Sequence, residues 1–60
     1  MEFRINQIVK GHKAGTFVIL GIRIIGDEDY AQLKEVNPDD YTQTARGELA
    51  LPLTALMHAN

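Results

Sequence analysis

Residues 16–25 carry apolar side chains on both faces of what their composition predicts to be one long β-strand. The segment is rich in β-branched residues, which favour strands: Thr16, Val18, Ile19, Ile22, Ile24 and Ile25. A strand of an antiparallel sheet normally alternates apolar and polar side chains, because only one of its faces is buried. This strand therefore needs either a change of inward face partway along its length or a second surface that covers its other face.

Gly21 lies in the middle of this strand, and a glycine inside a strand often marks a β-bulge or a bend. We expect a bend there to exchange the inward face, as small barrels require. A second copy of the chain could also bury the other face, and the two explanations are compatible. The residues expected at a subunit contact or in a barrel corner are Val18, Leu20, Ile22 and Ile24.

Shorter strands are predicted on either side of this segment. Residues 3–9 read as a first strand, 10–15 as a loop, 26–29 as a hairpin turn and 30–36 as a third strand with Ala31 and Leu33 on one face. A polar loop over 37–46, a strand over 47–51 and a 3-10 turn from Leu53 to Leu56 follow. Residues 57–60 form either a short fifth strand or a frayed end.

Sixty residues allow one domain, 1–60, and this order of elements predicts an all-β fold, an SH3-like small barrel of about five antiparallel strands. A chain of this size buries only about 60% of the surface that its unfolded form exposes. It contains no cysteine, so disulfides and cysteine-based zinc sites cannot supplement the core. The core must hold alone, or a partner subunit must add buried area.

The N-terminal residues lack the basic, apolar and small-residue order of a signal peptide. The longest apolar stretch, 17–25, is interrupted by Gly21 and Arg23 and is too short for a membrane-spanning helix. The absence of cysteine is compatible with a reducing compartment. We therefore expect a soluble, cytoplasmic protein with no membrane association.

The charge is unevenly distributed along the chain. Residues 1–26 hold four basic residues and one acidic residue, residues 27–60 hold two basic and seven acidic ones, and the net charge is −2. Either the two halves interleave in space and the charges mix, or one basic and one acidic face support contacts between subunits. The basic residues Arg4, Lys10, Lys13 and Arg23 suggest an alternative role in nucleic-acid association, although the net charge does not favour it.

The glycine-bounded loop that holds Lys10 and Lys13 is a candidate phosphate contact, although it lacks the spacing and the following helix of a P-loop. The chain has no serine and no cysteine, and nothing beside its threonines would activate them. His12 and His58 are expected to face solvent. The acidic runs at 27–29 and 39–40 lack the ligand spacing of a calcium loop. We expect no catalytic residue, no metal site and no cofactor.

Two segments resemble the C-terminal half of plasmid-borne type II dihydrofolate reductases. They are Glu28-Asp29-Tyr30-Ala31 and Pro52-Leu53-Thr54-Ala55-Leu56 with its close at Asn60. The loop with Lys13 is similar to the lysine-containing loop of that family. The resemblance implies an SH3-like barrel that assembles as a tetramer around a central pore. In that family a Val-Gln-Ile-Tyr run precedes the proline and lines the pore. Here Glu48-Leu49-Ala50-Leu51 stands there, so the groups that would hold folate and nicotinamide are missing.

The function that these residues favour is a non-catalytic binding or assembly module that forms a homo-oligomer and has a possible protein partner. The outward positions of the third strand and the long polar loop supply the expected partner surface: Tyr30, Gln32, Lys34, Tyr41 and Arg46. The alternatives are the nucleic-acid role and an oligomeric nucleotide-binding enzyme of the reductase kind.

Overall fold

The computed structural model describes residues 2–12 and 15–59, and within them it shows five strands and no α-helix. The strands are β1 (Ile8–Gly11), β2 (Thr16–Ile25), β3 (Glu28–Glu35), β4 (Leu49–Pro52) and β5 (Leu56–His58), with a 3-10 turn at Leu53–Ala55. They form one sheet in the order β4-β3-β2-β1-β5, in which all neighbours are antiparallel. The predicted fold class is confirmed.

The strand β2 has the bounds that its composition predicts, and its pairing with β3 is interrupted at the predicted place. Ile19 lies opposite Leu33, and Gly21 lies opposite the adjacent residue Gln32. Leu20 therefore has no counterpart on β3 and forms a β-bulge.

The bulge changes which side chains of β2 face the core side of the sheet, because side chains alternate along a strand. Before the bulge, the inward residues are Phe17 and Ile19, both buried. After it, Ile22 pairs with the fully buried Ala31, and directly opposed residues share a face. The predicted exchange of inward face is confirmed, and it places Ile24 on the same side as Ile22.

The core draws its side chains from four strands. Its buried cluster contains Val9, Phe17, Ile19, Ala31, Leu33 and Leu56, against which Phe3, Leu49, Leu51 and Leu53 are packed. Ala31 and Leu33 are fully buried, which confirms the predicted faces of β3. The core lies beside the first half of β2, so the far end of the β2–β3 hairpin extends beyond it.

The prediction of a first strand over residues 3–9 is wrong in its first part, because β1 begins at Ile8. Residues 4–7 turn instead: the backbone N–H of Arg4 donates to Oε1 of Gln7, and Gln7 N–H donates to the Arg4 carbonyl at 3.1 Å. Asn6 has a φ of 72°, a left-handed conformation that asparagine tolerates better than most residues. Ile5 is consequently exposed.

Other element bounds differ from the predictions by a few residues. β1 continues to Gly11, into the predicted loop, and β3 begins at Glu28 after a two-residue turn in which Gly26 has a φ of 63°. The strand β4 is shifted toward the C-terminus and ends at Pro52, which is tolerated because β4 is an edge strand. Of the two alternatives for the C-terminal residues, the short fifth strand is the one formed.

His58 does not face solvent as predicted. It is half-buried, its ring stacks on Phe3, and its Nδ1 lies 2.7 Å from Nε2 of Gln7. Its Nε2 is buried and has no hydrogen-bond partner among residues 2–12 and 15–59. His12 is exposed, as expected.

Candidate functional site

Tyr30, Gln32 and Lys34 alternate with the buried residues of β3 and therefore share its outer face. All three are half-buried rather than fully exposed. Two of them hold the loop of residues 37–48: Nζ of Lys34 donates to the Arg46 carbonyl, and Nε2 of Gln32 donates to Oε1 of Glu48 at 2.5 Å. These polar groups already have partners within the chain, and their role in binding another protein stays a prediction.

Arg46 is also engaged within the chain. Its guanidinium lies 3.5 Å from Oε2 of Glu35, and the hydroxyl of Thr44 donates to Oε1 of the same carboxylate at 2.9 Å. The side chain of Arg46 is largely exposed, so this ion pair is weak. It joins the loop to the end of β3 and leaves the cation available to solvent.

Tyr41 stands at the outer part of the loop, with a φ of 61° and an exposed side chain. Its N–H donates to the Asn37 carbonyl at 2.8 Å, and Asn37 N–H donates to the Thr42 carbonyl at 2.8 Å. The backbone N–H and the hydroxyl of Thr42 both donate to Oδ1 of Asp40, and these bonds lower the pKa of the Asp40 carboxyl. The loop is therefore a hydrogen-bonded turn and not a loose connection.

A groove of about 250 Å³ lies on the outer face of the sheet, across β2, β3 and β4. It is lined by Arg23, Ile25, Tyr30, Gln32, Glu48, Leu49 and Ala50. Of the predicted partner residues it contains Tyr30 and Gln32, but not Lys34, Tyr41 or Arg46. The remaining lining residues were not predicted, because their position depends on the register: Arg23 reaches Tyr30, and Ala50 reaches Gln32, only through strand pairing.

The far end of the β2–β3 hairpin exposes three isoleucines. The relative exposures are 38% for Ile22, 75% for Ile24 and 53% for Ile25. Ile22 and Ile24 lie on the core side of the sheet, and Ile25 lies on the other side. Each face of the hairpin end therefore exposes isoleucine on β2, beside Asp29 or Glu28 on β3, and we call the three isoleucines the isoleucine end.

The structure divides the residues predicted for self-association. Val18 lies opposite Lys34 on the outer face, Leu20 is the bulged residue, and Ile22 and Ile24 belong to the isoleucine end. Val18 and Leu20 are half-buried, whereas Ile22 and Ile24 are exposed. The four residues thus share a parity in sequence but not a face of the sheet.

One edge of β2 is paired along only part of its length. β1 pairs with β2 from Thr16 to Val18, and the preceding segment adds two bonds to Ile19: Asn6 N–H to the Ile19 carbonyl at 2.7 Å and Ile19 N–H to the Gln7 carbonyl at 3.0 Å. From residue 20 to residue 25 that edge has no neighbouring strand in the described part of the chain. We call residues 20–25 the open edge.

The alternation of hydrogen bonds identifies which backbone groups point to the open edge. Ile25 and Glu28 flank the two-residue turn and form the terminal pair of the hairpin, so their N–H and C=O groups point at each other. The backbone groups of Arg23 therefore also point toward β3. Those of Ile22 and Ile24 point the opposite way, out of the open edge.

The basic residues of the N-terminal half do not form one patch. Lys10 lies opposite Thr16, and Arg23 stands seven residues further along β2, about 23 Å away at strand spacing. Arg4 lies 3.8 Å from the carboxylate of Glu2. Lys13 falls outside the described residues. The nucleic-acid role and the phosphate contact stay predictions.

Within residues 2–12 and 15–59, no group of three or more His, Asp or Glu side chains could hold a metal ion. In the same residues, no helix is long and apolar enough to cross a membrane. On β4, where the resembled reductases carry pore-lining residues, Leu49 and Leu51 pack against the core and Ala50 faces outward. The strand offers no polar side chain of its own to a ligand.

Comparison with known proteins identifies no relative of this chain. The chain matches no protein-family model, no curated protein and no solved structure.

Proposed function

We propose that this protein is a non-catalytic assembly module that works as a homo-oligomer, with the isoleucine end as its main contact. The observation that carries the proposal is the exposure of Ile22 and Ile24 on one face, and of Ile25 on the other face, of the same hairpin end. Burying one isoleucine side chain contributes about 1.5–3 kcal/mol. Single exposed apolar residues are ordinary, but several of them concentrated at one end of a hairpin mark an interaction surface.

The total surface of the chain supports the same proposal. Folded monomers of 6.7 kDa expose about 3,900 Å² according to the usual scaling with mass. This chain exposes 4305 Å² and is elongated, with extents of 34 × 24 × 20 Å. The larger exposed surface agrees with a hairpin that extends past the core. A partner that covered this hairpin would bury part of that surface.

Sedimentation velocity from low to high micromolar concentration tests the proposal. We expect wild type to shift reversibly from monomer to oligomer, and Ile24→Thr to raise the dissociation constant about tenfold or more, because each copy loses apolar contact area. Ile5→Thr is the matched control, since Ile5 is also exposed but lies outside the hairpin. A wild-type monomer over the whole range would contradict the proposal.

A second candidate function is the binding of an extended peptide in the outer groove. The groove combines an apolar floor at Ala50 with the ring of Tyr30, and Arg23 and Glu48 supply opposite charges at its walls. Ala50 is exposed and small, so Ala50→Arg fills the groove without disturbing the core.

A random peptide library selected on wild type, followed by titration of the selected peptides, tests this second function. We expect Ala50→Arg to abolish binding and Thr54→Arg, an exposed substitution outside the groove, to leave it unchanged. The second candidate fails if no peptide is selected or if both variants bind equally.

A further inference from the structure

We infer that two copies of the chain join through their open edges and continue one sheet across a two-fold axis at Ile24. This inference rests on the proposed function and specifies its contact. The open edge comprises residues 20–25 of β2, which have β3 on one side and no strand on the other in the described part of the chain. The partner strand is the same segment of a second copy.

Backbone hydrogen bonding is the first argument. The N–H and C=O groups of Ile22 and Ile24 point out of the open edge, and no intrachain partner satisfies them in residues 2–12 and 15–59. A strand edge with unpaired N–H and C=O groups is a template on which another strand can pair. An antiparallel copy of the same segment presents the same groups at the same spacing, and a two-fold axis makes the contact self-complementary.

The lack of edge protection is the second argument. The other two edges of the sheet are short: β4 has four residues and ends at Pro52, and β5 has three residues. Short strands and proline are common devices against edge pairing. The open edge carries a single charge, Arg23, whose side chain stands on the outer face rather than along the edge.

The side chains select the register. Pairing of the outward-facing backbone groups places the axis at Ile22, Arg23 or Ile24. An axis at Arg23 sets two guanidinium groups directly opposite each other, which is unfavourable. An axis at Ile22 places Leu20 in the ladder opposite Ile24 of the other copy. Leu20 is the bulged residue, and a bulge disrupts the regular hydrogen bonds of a ladder. An axis at Ile24 avoids both problems: it pairs Ile24 with its own copy and places Ile22 beside the partner's turn, opposite Gly26.

The selected register buries the isoleucine end of both copies. Ile24 of one copy lies opposite Ile24 of the other on the core side of the sheet, with Ile22 beside them. On the outer side, Ile25 lies opposite Arg23 and covers its aliphatic stem. A second copy therefore pairs the free backbone groups of Ile24 and buries the exposed isoleucines with one contact, which explains both features together.

Cysteine crosslinking tests the register, and the chain has no cysteine of its own. The Cα atoms of a directly opposed, hydrogen-bonded pair are about 5.5 Å apart, within the range that a disulfide spans. Under mild oxidation, Ile24→Cys should form a covalent dimer at least about tenfold faster than Ile22→Cys, Arg23→Cys or the control Ile5→Cys, whose Cα atoms would lie outside that range.

Hydrogen exchange of the wild-type chain provides a readout that needs no substitution. The amide of Ile24 should exchange more slowly as the concentration rises, whereas the amide of Arg23, bonded to β3 in both states, should not change. An oligomer that shows neither the faster crosslinking of Ile24→Cys nor the slower exchange of the Ile24 amide would overturn the edge contact and leave the proposed assembly function standing. A monomer at every concentration would overturn both.

Discussion

The imidazole ring of His58 stacks on the phenyl ring of Phe3, with ring centroids 4.4 Å apart and 9° between the planes. The contact brings together segments from near the two ends of the chain, and Gln7 completes it with a hydrogen bond to His58. Because Phe3 also packs against the core cluster, this stack covers one side of the core.

Replacement of Phe3 by alanine should lower the free energy of unfolding by about 2 kcal/mol, because a half-buried ring and its stacking partner are lost together. Urea denaturation followed by circular dichroism measures this. Ile5→Ala removes an exposed side chain from the same segment and should change stability by less than about 0.5 kcal/mol. Equal effects of the two substitutions would show that the stack contributes nothing.

The loop before β2 requires glycine at position 15. Gly15 has a φ of 99°, and a Cβ there would lie 2.7 Å from the ring of Phe17. We expect Gly15→Ala to cost about 2 kcal/mol through the unfavourable backbone conformation and displacement of the buried ring.

Gly47→Ala is the matched control for that substitution. Gly47 has no positive φ, and a Cβ added there meets no atom within 4 Å. Its change in unfolding free energy should stay within about 0.5 kcal/mol. Thermal unfolding of both variants checks the pair, and a Gly15→Ala protein as stable as Gly47→Ala would contradict the described conformation of Gly15.

Truncation of a large apolar side chain should lower the free energy of unfolding strongly near the core and hardly at all at the far end of the hairpin. Leu33 is fully buried, so Leu33→Ala should cost about 3 kcal/mol. Ile24 is 75% exposed, so Ile24→Ala should change the stability of the monomer by less than about 0.5 kcal/mol. Denaturation at a concentration below the onset of association separates the two. A large loss in Ile24→Ala under that condition would mean that Ile24 serves the fold of the single chain.

The carboxyl of Asp40 should titrate below its ordinary pKa of 3.8, because the backbone N–H and the hydroxyl of Thr42 bond to its ionised form. Since the pKa is lower in the folded state, these bonds stabilise the loop above the unfolded pKa, and the stabilisation is lost as the pH falls through the folded pKa. A pH titration of the Asp40 carboxyl carbon by NMR measures the pKa.

Thr42→Val removes the hydroxyl and keeps the backbone N–H, so the pKa of Asp40 should rise part of the way toward its ordinary value. Thr54→Val replaces an exposed threonine away from the loop and should leave the pKa of Asp40 unchanged. An identical Asp40 titration in wild type and Thr42→Val would exclude the hydroxyl bond.

The amino-acid sequence alone was sufficient for the features that depend on local pattern. The bounds of β2 followed from its β-branched composition, the faces of β3 from the alternation of Ala31 and Leu33, and the 3-10 turn from the three-residue spacing of Leu53 and Leu56. Such features are predictable because the preferences of neighbouring residues act in the same direction as the final fold.

Only the tertiary structure decided which residues meet. That Leu20 is the bulged residue, that Arg23 joins Tyr30 in the groove and that Phe3 covers His58 all depend on the register and closure of strands distant in sequence. A shift of one residue in pairing moves every side chain of a strand to the opposite face, and no local preference determines that shift. The open edge has the same origin, since β2 continues past Ile19 while the segment that covers its edge turns away at Asn6.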